Sequence, residues 1–290
     1  MMYPINPDPA LLEKKEPPMD IAQYRTQCEA EIAAAGSAPM QYDGSDATEA
    51  AIPQALATLA DTAAHVGDRV AAMALINLAT FDPVAFATHS ADYDRLLHEL
   101  ATDKEKQIRA AALERLALVG DGYAQQLLTE GLEGKRRPLV PAAKAAQLLG
   151  SDDHNAARPI LRRLAETKTG KVREEALRAL ANDTRSTALF EAITNDKSEP
   201  LAVRQIAAMS LKQTAPARFA KLAEKIVLDD DDDDRLRATA MSAGAHTAEV
   251  RKHLSKPSFA DAVDAVRTTT KSTALKASIK RFQTLSAREA

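Results

Sequence analysis

Six segments of the chain carry the same order of apolar and polar positions without gaps. They are "VAAMALINL" from Val70, "IRAAALERL" from Ile108, "VPAAKAAQL" from Val140, "VREEALRAL" from Val172, "VRQIAAMSL" from Val203 and "LRATAMSAG" from Leu236. The first position is always Val, Ile or Leu. The fifth is Ala74, Ala112, Lys144, Ala176, Ala207 or Ala240, and the sixth is Leu75, Leu113, Ala145, Leu177, Ala208 or Met241. The ninth is Leu in five segments and Gly244 in the last. These offsets fall on one stripe of an α-helix. The small fifth residue lets two helices approach closely. Segment starts lie 38, 32, 32, 31 and 33 residues apart, which leaves room for two helices and two short turns. A second amphipathic stretch precedes each segment, for example "AQQLLTEGL", "ARPILRRLAE" and "RFAKLAEKIV". Pro53 and Pro159 fall near the starts of first helices, and Pro138 and Pro200 near the starts of second helices. Proline is tolerated in a first turn and costly further in.

One such helix pair is too thin to bury its own apolar stripe, so neighbours must stack into a continuous core. The predicted fold class is all-α: a right-handed α-solenoid of about six helix pairs over residues 49–247. Atypical terminal caps complete it. The anchors Ile108, Val172, Val203 and Leu236 are expected to be buried. The sixth unit, with Met241 and Gly244 in place of leucines, is expected to be less regular. Residues 1–48 read as an N-terminal extension with one helix ("MDIAQYRTQCEAEIAAAG") and a turn-rich linker ("GSAPMQYDGSDAT"). Residues 248–290 read as capping helices. Composition agrees: aromatic residues are only 4% of the 290, with no Trp, and Ala, the best helix former, is abundant.

The stretch "DKEKQIRAAALERLALVGD", Asp103–Asp121, resembles the second helix of a HEAT repeat, with its Asp, its Ile-Arg pair, its Ala and its Leu-rich end. The short period resembles bacterial HEAT-like repeats, including those of phycobilisome lyase subunits, and the resemblance runs from about Ala50 to Ala245. It implies an inter-repeat ladder of acids and arginines. Its residues here would be Asp103, Arg109, Arg173, Arg204, Asp231 and Arg237. The acid is replaced by His65, Lys135, Thr167 and Ser198 in the other units, so the ladder is incomplete. An armadillo unit would need a third helix, for which the period leaves little room.

The net charge of −3 conceals an asymmetry. Residues 1–66 hold ten acids and three bases, and residues 250–290 hold nine bases and three acids. Opposite ends of opposite sign can orient a partner or allow head-to-tail self-association. Asp229 to Asp234 form a run of six aspartates in the turn of the sixth unit. Asp233 or Asp234 would cap the next helix. Asp229, Asp230 and Asp232 are left as an acidic patch for a basic partner. Lys135, Arg136, Arg137, Arg162 and Arg163 form a basic patch for an acidic one. Met73, Ile76, Ile206 and Met209 sit at or beside offsets that face outward from second helices, where they are candidates for a protein contact.

Chemistry is scarcer. Cys28 is the single cysteine, which excludes an internal disulfide and multi-cysteine zinc sites. The deoxyhypusine hydroxylases, also HEAT-like, need several His-Glu pairs for their di-iron site; this chain has one, His98-Glu99. No His lies three or four residues from another. The predicted concave face has neither the row of cations that tracks phosphates nor the rings that stack bases, so nucleic acid is an unexpected ligand. No run is long and apolar enough for a membrane span, and the N-terminus lacks a signal-peptide core. The sequence thus leads to a cytoplasmic, non-catalytic scaffold or adaptor that binds another protein and needs no cofactor. A lyase-type subunit of an enzyme complex is the alternative, and a nucleic-acid binder the third.

Overall fold

The computed structural model describes residues 51–151 and 156–287; the N-terminal helix, linker and Cys28 of the sequence reading lie outside them. The described residues are helical throughout, without a strand, as in an α-solenoid. The chain divides into two compact units, Met1–Arg109 and Ala110–Ala290.

In the first unit, α1 (Ala51–Ala60) packs on α2 (Val66–Ala79), and the one-turn α3 (Pro83–Phe86) leads to α4 (Ser90–Leu100). Helix α5 (Lys106–Leu118) carries the division between the units. The second unit continues with α6 (Gly122–Leu132), α7 (Ala142–Leu149), α8 (Arg158–Thr167) and α9 (Gly170–Ala179). A 3-10 turn at Thr184–Ser186 opens α10 (Thr187–Asn195), followed by α11 (Leu201–Thr214), α12 (Pro216–Leu228) and α13 (Asp234–Ala245). The chain then adds α14 (Ala248–Leu254), α15 (Pro257–Thr269) and α16 (Thr273–Ala287).

Stacking is visible in the second unit as a row of second helices. Helix α7 packs on α9, α9 on α11, α11 on α13, and α13 on α16. First helices α10, α12 and α15 make a parallel row, each touching the next. The small residues of the repeat sit where the rows meet: Ala176, Ala207 and Ala240 are fully buried. Gly150 closes α7, and a Cβ there would come within 2.8 Å of the Ala179 Cα, so only glycine permits that approach.

Ile108, Val203 and Leu236 are buried, whereas Val172 is half-buried. The sixth unit is not loose at its core. Helix α16 covers α13, Ser242 and Ser278 touch hydroxyl to hydroxyl at 2.9 Å, and Met241 is fully buried. The first unit departs from the sequence register. Val70 is 40% exposed, while its neighbour Arg69 is buried. Counting from Arg69, the core positions are Ala72, Met73 and Ile76, the same intervals that run from Arg204 to Ala207, Ala208 and Leu211. The apolar alignment is therefore slipped by two residues in this helix.

Candidate functional site: a groove on the second helices and the arginines beneath it

One arginine per repeat performs the same task at four places. Its Nε donates to a carbonyl in the last turn of the preceding first helix. Arg69 donates to Leu59 O at 3.0 Å, Arg173 to Ala165 O at 2.8 Å, Arg204 to Thr194 O at 3.1 Å and Arg237 to Val227 O at 3.0 Å. The last carbonyls of a helix lack partners inside it and carry the negative end of its dipole, so a buried guanidinium is favourable there. The rest of the group reaches an acid in a turn of the following repeat. Arg69 pairs with Asp103 at 2.6 Å, Arg173 doubly with Glu199 at 2.6 and 2.7 Å, and Arg204 doubly with Asp232 at 2.7 Å for each bond. Arg237 instead turns to Asp230 and Asp234, within its own unit.

The ladder thus departs from its sequence form in several places. Asp232, not Asp231, receives Arg204, and Glu199, one residue beyond Ser198, supplies the acid for Arg173. Arg109 donates to the carbonyls of Asp103 and Lys104. Arg69 was overlooked because apolar matching put Ala71 at the arginine position; the signal that finds it is the arginine itself. Burial pushes the Asp103 carboxyl up, but hydrogen bonds from Arg69 and from the Glu105 N–H outweigh it and hold it below the ordinary value.

The aspartate run is largely consumed by the fold. Asp229 pairs with Lys197 at 2.6 Å, which holds its carboxyl below the ordinary range. Asp230 and Asp234 serve Arg237, Asp232 serves Arg204, and Asp233 caps α13 by accepting from Arg235 N at 2.8 Å. Asp231 is exposed and forms no ion pair among the described residues. Of the acidic patch expected from the sequence, Asp232 is buried and belongs to the fold, while Asp229 and Asp230 stay at the surface within ion pairs to Lys197 and Arg237.

The basic patch is thinned in the same way. Lys135 pairs with Glu133 at 2.7 Å and Arg136 approaches Glu130 at 3.8 Å. Arg162 donates to the buried Asp183 at 2.8 Å, with Arg158 at 3.6 Å. Burial raises the Asp183 carboxyl, and Arg162 and Ser186 more than reverse it. Arg137 and Arg163 remain exposed.

Of the four apolar contact candidates, Met73 and Ile76 are buried at 3% and 0% exposure, so they belong to the core and not to a contact surface. The slip in register is the reason. Ile206 is half-buried and Met209 is 40% exposed. Both line an open groove of about 510 Å³ between α9 and α11. A second groove of about 530 Å³ runs on from it across α13 to α16, sharing Gln205, Met209 and Lys212. Its walls are short and mixed: Thr239, Ser242 and Ser278 alternate with Ala238, Ala243 and Ala274. Arg178, Lys212 and Arg235 stand along it; Arg178 and Arg235 are paired with acids on their own helices, and Lys212 forms no ion pair among the described residues. The surface is mixed, with Met209 exposed where the two grooves join and Lys212 beside it.

Among the described residues, no three His, Cys, Asp or Glu side chains are placed to hold a metal ion. Among the same residues, no helix is long and apolar enough to cross a membrane.

No family model matches the chain, and no curated protein does. Among solved structures it is similar to human deoxyhypusine hydroxylase in complex with glycerol, at 14% identity and a TM-score of 0.34, over 84% of this chain and 99% of that one. It is also similar to a designed armadillo repeat protein in complex with the peptide (KR)4, at 12% identity and a TM-score of 0.35, over 81% and 98%. By its own stacked helix pairs the chain is a helical-repeat protein of the solenoid type. The sequence reading of a non-catalytic chain is corrected here: one of these two neighbours is an enzyme, so the assignment is withdrawn. At this level of similarity no activity passes to this chain.

Proposed function

We propose that the chain is a HEAT-like repeat scaffold that binds another protein along the groove over α9, α11, α13 and α16. The recurring arginine, tied to one helix end and to the next repeat's acid, supports the HEAT-like assignment. The observation that carries the binding reading is Met209, a large apolar side chain held 40% exposed where the two grooves join. A large apolar side chain left partly exposed in a groove is a common anchor of a protein contact. Lys212, which forms no ion pair among the described residues, favours a partner segment that carries a carboxylate beside one large apolar residue.

The test is a quantitative comparison of partners recovered from the native host by the wild-type chain and by Ile206→Asp/Met209→Asp. Both positions are partly solvated, so the double variant is expected to keep its helical circular dichroism. One stoichiometric protein should be lost from the variant by about tenfold or more, as for truncation of a contact hot spot. Equal recovery by a folded variant would refute the groove as the contact.

A further inference from the structure

The third repeat breaks the arginine rule in both of its partners. Pro141 follows the anchor Val140 where Arg173, Arg204 and Arg237 follow theirs. The acid position is inverted too. Lys168 lies five residues before Arg173, as Glu199 lies before Arg204 and Asp232 before Arg237. At this one junction of the second unit a lone cation stands where the next two junctions hold a closed ion pair. Lys168 is exposed and forms no ion pair among the described residues.

The backbone changes with it. Helix α7 begins two residues after Val140, whereas α9, α11 and α13 begin two residues before Val172, Val203 and Leu236. Pro138 and Pro141 account for the missing turn, because proline disfavours helix in the residue before it and cannot donate within one. Without that turn, and without an arginine side chain to fill the gap, a cavity of about 300 Å³ opens between α6, α7, α8 and α9. Leu128, Pro138, Val140, Leu164 and Val172 line it, and Lys168 stands at its edge. The half-burial of Val172 has the same origin.

We propose that this cavity binds a small amphiphile with an anionic head: a medium-chain carboxylate whose alkyl body fills the apolar space and whose head pairs with Lys168. The ligand restores the missing acid of the junction and the missing bulk of the arginine together. The size points to a short chain, since about 300 Å³ is the lower end of the range for small-molecule sites. The charge points to an anion, because the only ionisable side chain lining the cavity is a lysine. The site is separate from the groove and does not rest on the protein-binding reading.

Isothermal titration of the full chain with octanoate, octan-1-ol and octylammonium tests this. Octanoate should bind saturably at one site. Octylammonium and the alcohol should bind at least about tenfold more weakly, the worth of one hydrogen bond to a charged group. Lys168→Glu should remove the preference for the anion while keeping the helical dichroism, since the side chain is exposed. Val172→Phe, which fills the cavity, should remove binding of all three compounds; its fold is checked by urea unfolding, and Lys168→Glu carries the test if it fails. Absence of octanoate binding to the wild type would overturn the proposal, as would equal affinity for the anion and the cation, or full octanoate affinity in Lys168→Glu.

Discussion

The junctions at Arg204 and at Pro141 are built on the same repeat pattern and solve the same problem differently. At Arg204 a buried guanidinium ties the end of α10 to the turn before α13, with both oxygens of Asp232 engaged. At Pro141 the helix starts late, the cation has moved to the other side as Lys168, and a cavity remains. A stacked-repeat protein needs each interface to close, but not by the same means. Where charge closes it, the cost of desolvation is offset only while both partners are present. Where charge is missing, space is left that a ligand can use.

The largest effect expected from this contrast is the loss of one acid. Asp232→Ala leaves Arg204 buried without its partner and should destabilise by about 3–5 kcal/mol. Lys168→Ala, at the equivalent position of the open junction, should stay within about 0.5 kcal/mol of wild type, as for an ordinary surface change. Urea melts of the two variants decide the matter. Similar losses would erase the distinction between closed and open junctions.

A second contrast concerns the ends of the row. The sequence makes the sixth unit less regular, yet Met241 is as fully buried as Leu177 because α16 covers α13. Met241→Ala and Leu177→Ala should therefore each cost about 2–5 kcal/mol. A far smaller loss for Met241→Ala would mean that α16 frays from α13 in solution.

These cases show what the sequence made legible. Period, helix pairing and the all-α class were readable because every repeat needs the same apolar stripe. Register was not readable in α2. Starting at Val70, the fifth, sixth and ninth positions are Ala74, Leu75 and Leu78; starting at Asp68, they are Ala72, Met73 and Ile76. Both sets are apolar, and the apolar first position favours Val70 over Asp68, so hydrophobicity alone selects the wrong register. Arg69 selects the right one, because only one register places an arginine beside the end of α1. Met73 and Ile76 were misplaced for that reason. The acidic and basic patches were thinned for another. Charge in a linear sequence does not reveal whether its partner lies 28 residues away, as Asp232 lies from Arg204. The cavity at Pro141 was hidden because it arises from two replacements, each ordinary alone.

The smallest expected difference is in the response to acid. Asp183 ties the turn after α9 to Arg162 and Arg158 of α8, and Asp103 ties α2 to the turn before α5. Both carboxyls are held below the ordinary aspartate value of 3.8 in the folded chain. A group with a depressed folded pKa binds more protons when unfolded. Its contribution to stability is complete above the ordinary value and is lost as the pH falls below 3.8 through the folded value. The junction with Lys168 adds nothing to this acid limb. Asp183→Asn keeps an oxygen to accept from Arg162 and Ser186, so its cost near neutral pH should be modest. That cost should shrink as the pH falls below 3.8, because a protonated Asp183 has the same charge as Asn. Urea midpoints of both chains, followed from neutral pH down to the lowest pH at which they fold, should converge on the acid side. A gap that stays constant over the whole range would show that the carboxylate charge of Asp183 contributes nothing to holding α8 to that turn.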